Sequence, residues 1–220
     1  MSARKRIVVF GAAGQARDTA WLIRELVRAG NGFELVGFVV SDRSKLGPYD
    51  SAIVGDMDWL LANRGNVDAI AMGIGSPAVR LRIAEQLERE LPRVEWPVLV
   101  HPSVVIDRES ARLEPGAMIA AGTAGSVNIA IERHGLVNIG CTLGHEATIG
   151  AGCVVNHGAS ISGGVVLERA VLVGTGARVL QYLRVREGAT VGAGAVVTRD
   201  VDPGVTVVGI PARPIESRAS

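Results

Sequence analysis

Four histidines, His101, His134, His145 and His157, are the side chains of this sequence best suited to moving a proton near neutral pH. Only His145 is followed directly by a carboxylate, Glu146, and Asn138 precedes the pair by seven residues. A neutral imidazole can take the proton from an amine or hydroxyl as that group attacks an acyl carbonyl. An adjacent carboxylate can orient the ring and stabilise the imidazolium. A His-Glu pair by itself also suits a solvent-exposed turn that does no chemistry. His101, before Pro102, fits a junction between two parts of the chain. Cys141 and Cys153 lie twelve residues apart and read as small inward-facing side chains. Two cysteines do not make a zinc site, and a disulfide is not expected.

A second candidate is Gly11-Ala12-Ala13-Gly14-Gln15-Ala16, placed where a strand turns into a helix. Backbone N–H groups and the helix N-terminus there can cradle a phosphate. The string is not a full dinucleotide fingerprint. Arg17 stands near the final glycine position, and no clean acidic residue ends the second strand, which disfavours NAD. The same turn could also be a tight strand-to-helix connection that binds nothing.

The elements that would position these groups fall into two kinds. Up to about Pro97, strands alternate with helices. Strands are predicted over Ile7–Phe10, Glu34–Val40 and Ala69–Ile74, and helices over Ala16–Arg28, Met57–Asn63 and Pro77–Glu90. That order implies a parallel sheet of Rossmann type. We therefore expect an α/β Rossmann-like domain over residues 1–97, a second domain over 98–213 and a tail over 214–220.

The second domain carries a beat of six. From Leu113 it meets Ile119, Gly125, Ile131, Val137, Leu143, Ile149, Val155, Ile161, Leu167, Val173, Val179, Val185, Val191 and Val197. Every stop but Gly125 is a branched aliphatic. Small residues such as Ala117, Cys141, Ala147, Cys153 and Ala159 stand four positions after many of them. A helix has an apolar period of 3.6 and an alternating strand a period of two, so neither yields this beat. Hexads of this kind predict a parallel β-helix with a narrow core. The eleven- and twelve-residue gaps between His134, His145 and His157 do not put two ligands on one face a full coil apart, so no metal is expected. Gly163, eighteen residues after His145, should stack over it. Further aliphatics at Val154, Val166, Leu172 and Val196 should lie on lateral faces, where a closed cyclic oligomer would bury them.

Composition adds limits. The 220 residues carry 23 basic and 22 acidic side chains, with no basic stripe, so nucleic acid is not an expected partner. Arg4-Lys5-Arg6 before Ile7–Phe10 could open a signal peptide, but the apolar run ends at Gly11 and reads as a first buried strand. No segment approaches the apolar length of a membrane span, and the cytoplasm is the expected location.

The strings GAAGQAR, GFVVSD, IGSPAVR, HPS, VNIGCTLGHEATIG, ISGG, VGAGAVVTRDV and VVGIPARP, in this order and joined to the hexads, resemble the left-handed β-helix sugar acyltransferases. The resemblance is to those of the sialic acid O-acetyltransferase and bacillosamine N-acetyltransferase type, and it covers nearly the whole chain. It implies an acetyl-CoA-dependent N-acetyltransferase acting on a nucleotide-linked amino sugar in surface polysaccharide or glycan biosynthesis. O-acetylation of a sugar such as sialic acid, and a non-catalytic nucleotide-sugar-binding assembly protein, are the alternatives.

By the same resemblance His145 is the general base, Glu146 assists it and Asn138 contacts the site. Acetyl-CoA would lie along the later coils at Gly163, Thr175, Gly192 and Ala193, with Arg199 and Arg213 as partners for its phosphates. The nucleotide-sugar would be held by Gly11, Ala13, Gly14, Gln15, Asp42, Gly75 and Arg80. The family usually carries His where this chain has Gln15. It forms trimers with sites at the three subunit interfaces, so a homotrimer is implied.

Overall fold

The computed structural model describes residues 4–41 and 52–215. Asp42, assigned above to the acceptor, lies outside the described residues.

The N-terminal unit runs β1 (Lys5–Phe10), α1 (Gly14–Arg28), β2 (Phe33–Val40), β3 (Ile53–Asp56), α2 (Met57–Ala62), β4 (Ala69–Met72) and α3 (Pro77–Glu90). Its four strands form a parallel sheet in the order β3-β2-β1-β4. The sheet is buried on both sides, because Ile7 and Val9 point to α1 while Val8 and Phe10 point to α2 and α3. Such double burial suits a parallel sheet and accounts for the unbroken apolar run of β1. Strand β3 was not anticipated. It is a short, half-exposed edge strand, and its last residue, Asp56, caps α2 by accepting from the Trp59 N–H at 3.0 Å.

From Leu99 the chain climbs a triangular coil of short strands, which between Arg112 and Val197 pair in parallel with the strand eighteen residues on. The regular rungs fit a left-handed β-helix. Three faces result. The first carries Met118–Ile119, Leu136–Val137, Val154–Val155 and Leu172–Val173; the second carries Thr142–Leu143 and Ser160–Ile161; the third carries Thr148–Ile149 and Val166–Leu167. The aliphatic stops from Ile119 to Val197 form the rod's core, together with the small residues four positions later. Gly125 breaks the beat for a packing reason. Its hexad ends in the larger Ile129, whose Cδ1 lies 2.5 Å from where a Gly125 Cβ would stand.

The two units share a core. Leu22, Ile23 and Leu26 of α1 meet Met118, Leu136 and Val154 on the outer side of the first face. This corrects the expectation that Val154 and Leu172 are free lateral surface. Val154 is fully buried, and Leu172 packs against the same cluster, because α1 covers this face within the one chain. Val166 and Val196 lie part-exposed on the other two faces. Helix α3 lies along the corner between the third and first faces. Leu81 packs on Gly152, and Glu85 pairs with Arg169 at 2.6 Å. Among the described residues no helix is long and apolar enough to cross a membrane.

Candidate active site

Each corner of the rod is a tight turn, and its third residue takes a left-handed backbone with φ near +60°. Glycine adopts this without cost, and most of these positions are glycine. The exceptions are Asn128, His134, Glu146, Ala170 and Tyr182. A side chain placed there at a steric cost is a pointer to use. The corner between the second and third faces holds Asn128, Glu146 and Tyr182, interrupted only by Gly164. The corner between the first and second faces has glycine at Gly122, Gly140, Gly158, Gly176 and Gly194.

His145 projects from the exceptional corner and is half exposed, as expected for a residue on the outside of the rod. Its Nδ1 lies 3.8 Å from Glu146 Oε2, close enough for attraction though longer than a hydrogen bond. The imidazole rests on Gly163, one coil later, with Nε2 2.4 Å from where a Gly163 Cβ would stand. Gly163 is therefore glycine because a ring lies on it. The Tyr182 ring, which the sequence reading missed, rests in the same way on Gly164, with its centroid 6.4 Å from that of His145. A signal existed: Tyr182 stands at a turn position that most corners of the rod fill with glycine.

Only spacings that are multiples of eighteen stay on one corner. Arg199 therefore shares the corner of His145, Glu146 and Gly163. Asn138, Thr175, Gly192 and Ala193 occupy the corner between the first and second faces. This corrects the expectation that Thr175 and the Gly192-Ala193 run continue upward from Gly163, since they climb a different edge. Asn138 is 1% exposed, and its Nδ2 donates to Asn156 Oδ1 at 3.1 Å. It faces Gln15, Thr19 and Trp21 of α1 across a gap of about 10 Å³. Within one chain it does not meet His145. Arg199 and Arg213 do come together, lining a cavity of about 220 Å³ at the last coils.

His134 lies on the third corner and His157 on the first-to-second corner, so the three rod histidines stand on three different edges. His134 is fully buried, and its Nε2 is 2.9 Å from Glu88 Oε1 on α3. Burial lowers its pKa, against the opposing pull of Glu88. Burial also pushes the Glu88 carboxyl up, but hydrogen bonds from His134 and Arg133 outweigh this and hold it below its usual value. The pair is thus a neutral imidazole donating to a carboxylate. Burial likewise raises the Cys141 thiol to about 11 and the Cys153 thiol to about 12, which leaves both unreactive.

In the N-terminal unit, the loops after β1 and β4 meet. A Cβ on Gly75 would lie 3.8 Å from the Gln15 side chain. Neither α1, entered at Ala13, nor α3, entered at Ser76, has a side chain capping its first N–H groups, so two helix N-termini open on one spot. Gly14 borders it with open space, its nearest neighbour being Arg17 Nη2 at 4.0 Å. Gly11 has a structural reason of its own. Its φ is +116°, and a Cβ would meet the Gly73 carbonyl oxygen at 2.8 Å. Arg80 is a correction. Its guanidinium is fully buried and donates from Nε to the His134 carbonyl at 2.6 Å and from Nη1 to those of Met72 and Ile74, both at 2.9 Å. Burial lowers its pKa to about 9, so it keeps its charge at neutral pH. It clasps the two units and does not reach an acceptor.

No protein-family model matches the chain. Among the solved structures that resemble it throughout are two acetyltransferases. One is PerB from Caulobacter crescentus in complex with CoA and GDP-perosamine, at 26% identity and a TM-score of 0.85 over 97% of this chain and 99% of that one. The other is the acetyltransferase domain of PglB from Neisseria gonorrhoeae, at 26% identity and a TM-score of 0.69 over 96% and 100%. By sequence, a serine acetyltransferase of Synechococcus elongatus is 36% identical over 136 residues, 62% of this chain. The chain spans 50% of the length of that relative and less of the next two it matches. Fold and relatives together liken the chain to the hexapeptide-repeat acyltransferases, the resemblance its motifs carry.

Proposed function

We propose that this hexapeptide-repeat chain transfers an acetyl group from acetyl-CoA to the amine of a nucleotide-linked amino sugar. The observation that carries the reading is the exposed His145–Glu146 pair over Gly163, on a chain that matches PerB from end to end. His145 takes the proton as the amine attacks the thioester carbonyl. The tetrahedral intermediate collapses with cleavage of the C–S bond, and the coenzyme thiolate accepts that proton from the imidazolium. Glu146 stabilises the cation that forms in between.

The acceptor's nucleotide is assigned to a Rossmann-like N-terminal unit, at the open helix ends beside Ala13, Gly14, Gln15 and Gly75. The coenzyme is assigned to the rod, with its phosphates toward Arg199 and Arg213. The Asn138, Thr175 and Gly192-Ala193 edge cannot serve the same chain's His145. A cyclic trimer, in which that edge of one subunit faces the His145 edge of the next, would unite the two sets.

Replacing His145 with Ala should lower kcat by about 10²–10⁴-fold and leave acetyl-CoA affinity nearly unchanged. Steady-state kinetics with an amino-sugar nucleotide, paired with calorimetric titration of CoA, makes the test. Near-normal turnover in the variant removes His145 from the mechanism.

A further inference from the structure

Tyr182 sits one coil beyond Gly164 on the edge that carries His145, and nothing in the fold requires a tyrosine there. Its backbone is left-handed, with φ of 60°. Glycine fills that position on most turns, and a bulky residue there is an outlier. The ring is 69% exposed, so it gains little from burial within the chain. What it does have is a defined seat. Its Cδ1 lies 2.3 Å from where a Gly164 Cβ would stand, while the His145 ring sits the same way on the neighbouring Gly163. The two rings are tilted by 58°. Together they form an exposed aromatic wall seated on a pair of adjacent glycines.

The direction of this edge says what passes this wall. His145, Gly163, Gln181 and Arg199 follow one another at one coil each, and Arg199 opens on the cavity it shares with Arg213. At the strand spacing, three coils rise about 14 Å. A long ligand with its reactive carbonyl at His145 and its anionic end near Arg199 must run past Tyr182. The N-terminal unit, by contrast, lies on the first face, away from this edge.

We propose that Tyr182 is a donor-contacting residue, against whose ring the thioester-bearing arm of the acyl donor lies. The inference rests on the acetyltransferase reading above and adds to it a contact that sets affinity for the donor and leaves the acceptor alone. The strained backbone is kept because glycine, the relaxed choice, would remove that wall.

Calorimetric titration of CoA into the full chain tests this with wild type, Tyr182→Phe and Tyr182→Gly. The Phe variant keeps the ring and should bind within about 2-fold of wild type, whereas the Gly variant should bind about 10-fold more weakly. Glycine relaxes at this φ, so the Gly variant should keep its Tm within about 3 °C of wild type and its sedimentation unchanged. Wild-type affinity in the Gly variant overturns the proposal and leaves the His145 mechanism standing. A changed oligomeric state in that variant also overturns it, making Tyr182 a subunit contact. If wild type itself does not bind CoA, the acetyltransferase reading falls and this contact with it.

Discussion

At the residue scale the molecule shows why single glycines matter. Gly163 does not sit at a left-handed turn position, so its lack of a side chain is not needed for the backbone. It is needed for the imidazole, which occupies the space a Cβ would take. Gly163→Ala should therefore push His145 out of place and lower kcat by about 10-fold or more while the Tm stays close to wild type. Kinetics and a thermal melt on the same sample check this. Unchanged kcat would mean that the ring position is irrelevant to turnover. Gly14 offers the opposite case, with an ordinary backbone and open space around it. If the helix ends hold the acceptor's phosphates, Gly14→Val should raise the acceptor KM about 10-fold and leave the acetyl-CoA KM and the Tm alone. An unchanged acceptor KM in the folded variant would make this turn purely structural.

At the scale of elements, α1 and α3 do different work against the rod. Helix α1 contributes apolar area, burying Leu22, Ile23 and Leu26 on the first face. Helix α3 contributes polar contacts at a corner, through Arg80, Glu85 and Glu88. Arg80 ties the C-terminal end of β4 to the turn at His134 through three backbone carbonyls, those of Met72 and His134 in buried bonds and that of Ile74 in a part-buried one. Arg80→Met would keep much of the volume and strand those acceptors, at a cost of about 3 kcal/mol or more. Urea denaturation measures this as a lower midpoint. A midpoint equal to wild type would show that the clasp contributes nothing net.

At the scale of the whole molecule, the junction of the two units should be sensitive to acid. His134 and Glu88 are both held below their ordinary values of 6.5 and 4.5. In each case the unfolded chain binds more protons, so stability rises with pH through the window. The contribution of His134 is complete above about 6.5 and is lost as the pH falls through its lower folded-state value, with Glu88 following below 4.5. Asn tolerates the left-handed turn, so His134→Asn should fold and should show a flatter fall in Tm between about pH 7.5 and 5.5 than wild type. Parallel curves for the two proteins would remove His134 from the acid response. Assembly is checked separately. Sedimentation equilibrium should give three times the 23.0 kDa of the chain, and a monomer would leave the edge of Asn138 without the His145 edge it is proposed to meet.

Periodicity by itself determined the rod. A beat of six with aliphatic stops has one packing solution, and residue number modulo eighteen then assigns every side chain to a face or an edge. The pair His145–Glu146 and its glycine partner Gly163 were legible for the same reason, since their relation is local to neighbouring coils. The first-half strands and helices were readable to within a few residues, apart from the half-exposed β3. What the tertiary structure decided is which surfaces the chain covers itself. Val154 and Leu172 look like free aliphatic surface until α1 lies on them, and Arg80 looks like a ligand contact until the His134 turn closes over it. Both depend on contacts between residues fifty or more positions apart, such as Arg80 with His134 at a separation of 54. No local pattern encodes such contacts. They follow from how two separately formed units meet, which is set by the shape and burial of whole faces.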